Sequence, residues 1–224
     1  PAVPTKVPFN QQRTGALVGG PLARDHVFFF GGYELLHTLA TRTVSIPAAF
    51  TGRGVASGNY PNASVSQLSL IKIDDQISSN QRLSVRANSE MAHATNVGVG
   101  GIRTQANGTS TQTQNLNAAG TWTSVLSGRT VNEVKLGLLK QDGWTQCNYI
   151  NLTGAPMGSP VGGWAQQGYP NVTLGCSPFF GHNGTHDIQM FETLALNRGA
   201  HDFKAGVQVD RSDILWNGRN NNDG

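Results

Sequence analysis

The chain has 224 residues, of which 13% are charged and 38% hydrophobic, with 28 glycines and a formal net charge of +3. The charged share is about half of the roughly 25% usual in soluble globular domains, and a chain rich in Gly, Asn, Ser and Thr suits strands and turns better than helices. No stretch nears the ~20 apolar residues of a membrane-spanning helix, and Lys and Arg are scattered singly, which excludes an α-helical membrane protein and a nucleic-acid partner.

The opening stretch, "PAVPTKVPFNQQRTG", lacks the charged region followed by an apolar one that marks a signal peptide. Strands are then predicted near 10–20 and 26–40, joined by "GPLARD". The second of these carries "HVFFFGGYELLHT". Val27, Phe29, Gly31, Tyr33 and Leu35 fall on one face, and Phe28, Phe30, Gly32 and Glu34 on the other. Strands near 66–76 and 82–94 are joined by "ISSNQ". In the second, Leu83, Val85, Ala87 and Met91 oppose Arg82, Ser84, Arg86, Asn88 and Glu90. Strands near 112–124 and 130–144 meet at "LSGR". Here Leu116, Ala118, Gly120 and Trp122 share a face, as do Val134, Leu136 and Leu138. Strands near 186–196 and 200–215 meet at "NRGA", with Phe203, Ala205, Val207 and Val209 opposing Asp202, Lys204, Gln208 and Asp210. The runs at 82–91, 115–123, 132–141 and 201–211 are each apolar on one side and polar on the other.

The connections alternate in length. Four are tight, with turns near Ala23, Ser79, Gly128 and Arg198, and all four are expected at one end of the sheet. Between them run long stretches at 41–65, 95–111 and 145–185. Outer-membrane barrels have short turns on one side and long loops on the other, whereas a soluble sandwich has similar turns at both ends. Strands of this length fit the ~9–11 residues a tilted strand needs to cross a bilayer. Trp122, Trp144 and Tyr33 are candidates for interfacial aromatic girdles. The fold predicted is an all-β antiparallel up-and-down meander of about eight strands, open on its own and part of a larger barrel. Its apolar face meets outer-membrane lipid. Two inward Phe make sense if something fills the lumen there. A soluble secreted all-β module binding carbohydrate or another ligand is the other class that alternation allows.

Several segments resemble a known family. "NQQRTGALVGGPLARDHVFFFGGYELLHT" looks like the plug-to-barrel junction of Oar-like TonB-dependent outer-membrane receptors, at Asn10, Gly15, Gly19, Gly20, Pro21, Phe28–Phe30, Tyr33 and Glu34. "IKIDDQISSNQRLSVRANSE" resembles a family hairpin through Asp74, with Asp75 where His is common and Ile77 where Phe is. "TWTSVLSGRTVNEVKLG" matches another at Val131, Asn132 and Glu133, and "ETLALNRGAHDFKAGVQVDR" a third at Gly199, His201, Lys204 and Gly206. The resemblance implies that residues 10–224 are the first part of a barrel of about 22 strands with a plugged lumen, and that 1–9 is a linker or plug remnant. It further implies a plug domain of the same full-length protein and a TonB complex as partners, reached through other parts of the chain, and an unnamed substrate taken up or exported.

No catalytic group is expected. Asp74 and Asp75 adjoin and so point to opposite faces. Gly-rich "NVGVGG" opens no helix and is no phosphate cradle. His182 and His186 stand four apart across an Asn-Gly pair and read as loop histidines, so no metal or cofactor is expected. The stretch 145–185 exceeds the ~12–15 residues beyond which structureless loops are uncommon. It holds Cys147 and Cys176, a candidate disulfide in an oxidising compartment, and Trp164, Tyr169, Phe179 and Phe180, candidates for ligand contact.

Overall fold

The computed structural model describes residues 7–51, 56–148, 167–175 and 179–220. Eight long strands form one antiparallel sheet: β1 (Phe9–Ala23), β2 (Val27–Val44), β3 (Gly58–Ser78), β4 (Gln81–Val97), β5 (Thr109–Ser127), β6 (Thr130–Cys147), β9 (Phe179–Arg198) and β10 (His201–Asn220). Their spatial order is their chain order, β1-β2-β3-β4-β5-β6-β9-β10. β7 (Gln167–Tyr169) and β8 (Val172–Leu174) form a separate small hairpin. A four-residue helix, α1 (Ala48–Thr51), lies between β2 and β3. The sheet is an open meander, as its alternation predicts.

Turns at 24–26, 79–80, 128–129 and 199–200 all lie at one end of the sheet. The register fixes this: Val27 pairs with Asp75, Asp75 with Leu83, Leu83 with Trp122, Trp122 with Val134 and Val134 with Glu192. Asp25, with φ of 67°, and Gly199, with φ of 65°, supply the left-handed backbone that two of these turns require.

The strands run further than alternation alone predicts. β3 begins at Gly58 rather than near 66, and β9 at Phe179 rather than near 186. Many of their extra residues are Asn, Gly, Ser or Thr, as at Asn59, Asn62, Ser64, Gly181, Asn183, Gly184 and Thr185. These weaken a sequence pattern without breaking a ladder held by backbone hydrogen bonds. Residues 1–6 lie outside the described residues, and β1 opens with Phe9 paired to Ala40. Cys147 closes β6 and is not a loop residue, and Phe179 and Phe180 open β9. His182 and His186 are also strand residues of β9 rather than loop histidines.

A wall one sheet thick has no core in the ordinary sense. Among the described residues, the buried apolar side chains are Val44, Ile46, Val99, Cys147 and Val172. All five lie at the end of the sheet opposite the tight turns. Among the described residues, the hydrophobic cluster of Val44, Ile46, Val99 and Val172 therefore sits at the loop end, in the connections, the last residue of β2 and the small hairpin, not along the faces of the long strands.

Candidate functional site

The register sorts the wall into two faces, because directly paired residues point the same way. One face carries Phe29, Ile73, Val85, Gly120, Leu136, Met190 and Val209 in a single paired row. The next row carries Val18, Gly31, Ile71, Ala87, Ala118, Leu138 and Ile188. Leu83, Val85, Leu136, Leu138, Phe203 and Val207 thus share a face, and Arg86, Glu133, Lys135, Lys204 and Gln208 share the other.

The apolar band does not follow the hydrogen-bonded rows. On β2 it climbs from Phe29 to Leu35. On β10 it sits nearer the turns, at Phe203 to Val209, beside Leu196, Leu194 and Met190 of β9. A level band that drifts along the register means strands tilted to it, as strands in a membrane barrel are. Trp122 and Trp144 lie on this face toward opposite ends of their strands. Tyr33 does not fit a girdle, because it stands well inside β2 beside Ser69, where it donates to Gln67 Oε1 at 3.2 Å. Glu192 also departs from the pattern: it faces outward and accepts from Asn132 Nδ2 at 3.1 Å.

Above the band, toward the loops, the same face turns polar. Asp142, only 5% exposed, is met by Lys140 Nζ at 3.2 Å, His182 Nε2 at 3.1 Å and His186 Nε2 at 3.5 Å. The carboxylate fits because Gly184 opposite it has no side chain; a Cβ there would lie 2.6 Å from Asp142 Oδ1. His182 also stacks on Trp144, with ring centroids 4.7 Å apart and planes 2° apart.

The other face is concave. A trough of about 1260 Å³ spans β1 to β6 and is lined by Arg13, Glu34, Asn88, Glu90, Asn115 and Asn117, among others. A second of about 520 Å³ adjoins it, lined by Lys72, Arg86, Lys135 and Asp187. Ion pairs and hydrogen bonds tie much of this surface together. Arg13 meets Glu34 at 3.4 Å. Asp74 holds Lys72 at 2.6 Å and Arg82 at 3.3 Å. Glu133 holds Lys135 at 2.7 Å. Glu90 accepts from Ser66 and Asn115.

At the loop end the connections pack into a cap. The turn after β2 is bound to the β4–β5 connection by Ser45 N–H to Gly101 O and Gly101 N–H to Thr43 O, each at 2.8 Å. That connection holds the β7–β8 hairpin through Thr173 N–H to Ile102 O at 2.8 Å and Thr104 Oγ1 to Thr173 O at 3.1 Å. Val44, Ile46, Val99 and Val172 fill the centre, with Phe50 and Tyr60 against them. Buried asparagines satisfy the irregular backbone. Asn148 Nδ2 donates to Asn96 Oδ1 at 2.6 Å and to Gln105 O at 3.2 Å, and Asn107 Nδ2 donates to Gly175 O at 3.2 Å. None of these asparagines stands out in the sequence, because N-rich stretches look like solvated loops.

The described ones among the residues singled out from the sequence lie at this loop end. Tyr169 is exposed on β7, its ring 5.5 Å from Phe50. Phe179 and Phe180 begin β9, while Trp164 and Cys176 lie outside the described residues. Cys147 is fully buried against the cap backbone at Ala106.

The comparisons agree with this geometry. A family model described as "Outer membrane beta barrel domain" matches residues 55–224. Among solved structures, the outer membrane transporter YddB from Escherichia coli shares the fold, with a TM-score of 0.52 and 12% identity over 93% of this chain. The chain spans 32% of that transporter's length. No curated protein matches. An outward apolar band and this family match set aside the soluble secreted module and place the wall in the bacterial outer membrane. The chain belongs to the family of outer membrane β-barrel domains.

Proposed function

We propose that this chain is a wall segment of an Oar-like TonB-dependent receptor that moves a substrate across the outer membrane. In this reading a plug of the same protein fills the lumen, and energy arrives through TonB contacts made elsewhere in the protein. The motifs at Gly19–Pro21, Asn132–Glu133 and Gly199–His201 support it. The single observation that carries it is the polarity of the wall: tight turns at one end, a packed cap at the other, apolar outside and polar inside. The cap would screen or contact the substrate through Tyr169, and through Trp164, Phe179 and Phe180, the other aromatics that the sequence singles out. A Cys147–Cys176 bridge would pin the intervening segment over the barrel mouth.

Cells with and without the full-length protein, fed ferric siderophores, oligosaccharides and peptides as a mixed panel, test the transport reading. One class should change its distribution across the outer membrane only when the protein is present. That change should vanish when the proton-motive force is collapsed. A distribution indifferent to the protein, or to the proton-motive force, would contradict energised transport.

A further inference from the structure

The charge of this chain is unevenly placed. The stretches 41–65, 95–111 and 145–185, which supply the cap, contain three arginines, Arg42, Arg53 and Arg103, and no Lys, Asp or Glu. Setting these three apart from the 16 Lys and Arg leaves 13, against 13 Asp and Glu. The rest of the chain is therefore balanced, and the whole net charge of +3 belongs to the loop end. Surfaces ordinarily intersperse both signs. A cap with arginine and no acid calls for an anion from outside the chain.

Two of the three arginines are among the described residues, and both pack on the glycine-rich segment at 98–101. A Cβ at Gly98 would touch Arg103 Nη1 at 3.6 Å, and one at Gly100 would touch Arg42 Cβ at 3.8 Å. The segment spends its own donors internally: Val99 N–H reaches Asn96 O at 3.3 Å, Gly100 N–H reaches Arg103 O at 3.1 Å and Gly101 N–H reaches Thr43 O at 2.8 Å. It supplies room, and the arginines supply charge. Arg42 shares the inner face of β2 with Phe28 and Glu34, and its direct partner on β3 is Tyr60. Both arginines are exposed. Neither side chain makes an ion pair or a hydrogen bond among the described residues. A guanidinium is always charged, so two of them on one short segment repel each other until an anion joins them.

We propose that Arg42 and Arg103, packed on the 98–101 segment, form an entry site at the mouth of the wall for a soluble oxyanion, a solute carrying carboxylate or phosphate groups. Each guanidinium receives such a group through two parallel hydrogen bonds. The inner-face position of Arg42 favours a solute entering the lumen over a lipid headgroup, which would lie against the outward face. A cap of one sign also concentrates anions at the mouth and speeds their capture. The inference rests on the reading of the chain as a transporter wall and names the class of substrate that this mouth selects.

Calorimetric titration of the purified full-length protein with citrate and with inorganic pyrophosphate tests the site. At least one of the two should bind. Its dissociation constant should rise about tenfold or more in Arg42→Gln and in Arg103→Gln, as expected for lost hydrogen bonds to a charged group. Arg24→Gln, in a tight turn at the opposite end of the sheet, should bind like the wild type. Both cap variants alter exposed, unbonded side chains and should assemble at wild-type levels. Binding of neither anion, unchanged affinity in either cap variant, or an equal loss in Arg24→Gln would overturn the site. Phosphate-bearing lipid that co-purifies with the wild type and is lost from both cap variants would also overturn it, in favour of a lipid contact. The titration needs no energy source, so the two readings fail separately. Transport that fails while the anion still binds leaves the site standing, and binding that fails while transport persists removes only the site.

Discussion

Single residues decide how the cap holds together. Gly108 has ordinary backbone angles, with φ of −70°, so its role is space. A Cβ there would run into Val99 Cγ2 and lie 2.7 Å from Asn148 Nδ2. Gly108→Ala should therefore loosen the cap by ~1–3 kcal/mol, the usual cost of overpacking, seen as faster proteolysis of the 98–108 connection in intact cells. Asn148→Ala removes the donor to Asn96 and Gln105 and should cost a further ~1–3 kcal/mol through unsatisfied buried groups. Its proteolysis pattern should match that of Gly108→Ala; resistance equal to wild type would show that the asparagines do not hold the cap. The sequence shows neither role. A glycine that serves as a gap and an asparagine that serves as a buried cross-link look like every other Gly and Asn in a loop-coloured stretch. What identifies them is the arrival of three connections at one place, a long-range fact.

At the level of the strand, legibility was high where two faces differ and low where both are polar. Leu83 to Met91 and Phe203 to Val209 announce their faces, and the structure keeps them. The ends of β3, β5 and β9 carry Asn, Ser, Thr and Gly on both sides, so these strands looked shorter and the loops longer than they are. The wall makes a matching prediction. Leu136→Arg, on the outward band, should destabilise the assembled barrel by ~2–4 kcal/mol if its side chain sits near the bilayer midplane. Lys135→Ala, on the inner face next door, should change stability little, since its half-exposed ion pair with Glu133 is worth ~0–1 kcal/mol. Urea titration in lipid vesicles compares the two; equal effects would mean that the faces are not in different media. The proposed Cys147–Cys176 bridge belongs to this scale as well. Closing a loop of that length should stabilise by roughly 3–4 kcal/mol in the chain-entropy model. Reduction should therefore expose the 149–175 segment to protease while the strands stay protected, and intact protection under reducing conditions would remove the bridge's pinning role.

For the whole molecule, the alternation of short and long connections carried the fold. It is a property of spacing, and spacing survives the many substitutions a one-sheet wall tolerates. The clustering of buried residues in the cap was not legible, because it leaves no local pattern. The drift of the apolar band across the register ties both levels together: it requires strands tilted to the band, as strands in a membrane barrel are. The most direct test of the central claim is spin-label accessibility in the full-length protein reconstituted in lipid vesicles. Labels replacing Val85, Leu136, Leu138 and Val207 should be reached by oxygen from the bilayer and shielded from a water-soluble nickel chelate. Labels replacing Arg86, Lys135 and Gln208 should not be reached from the lipid. Greater lipid accessibility at the second set than at the first would contradict the account.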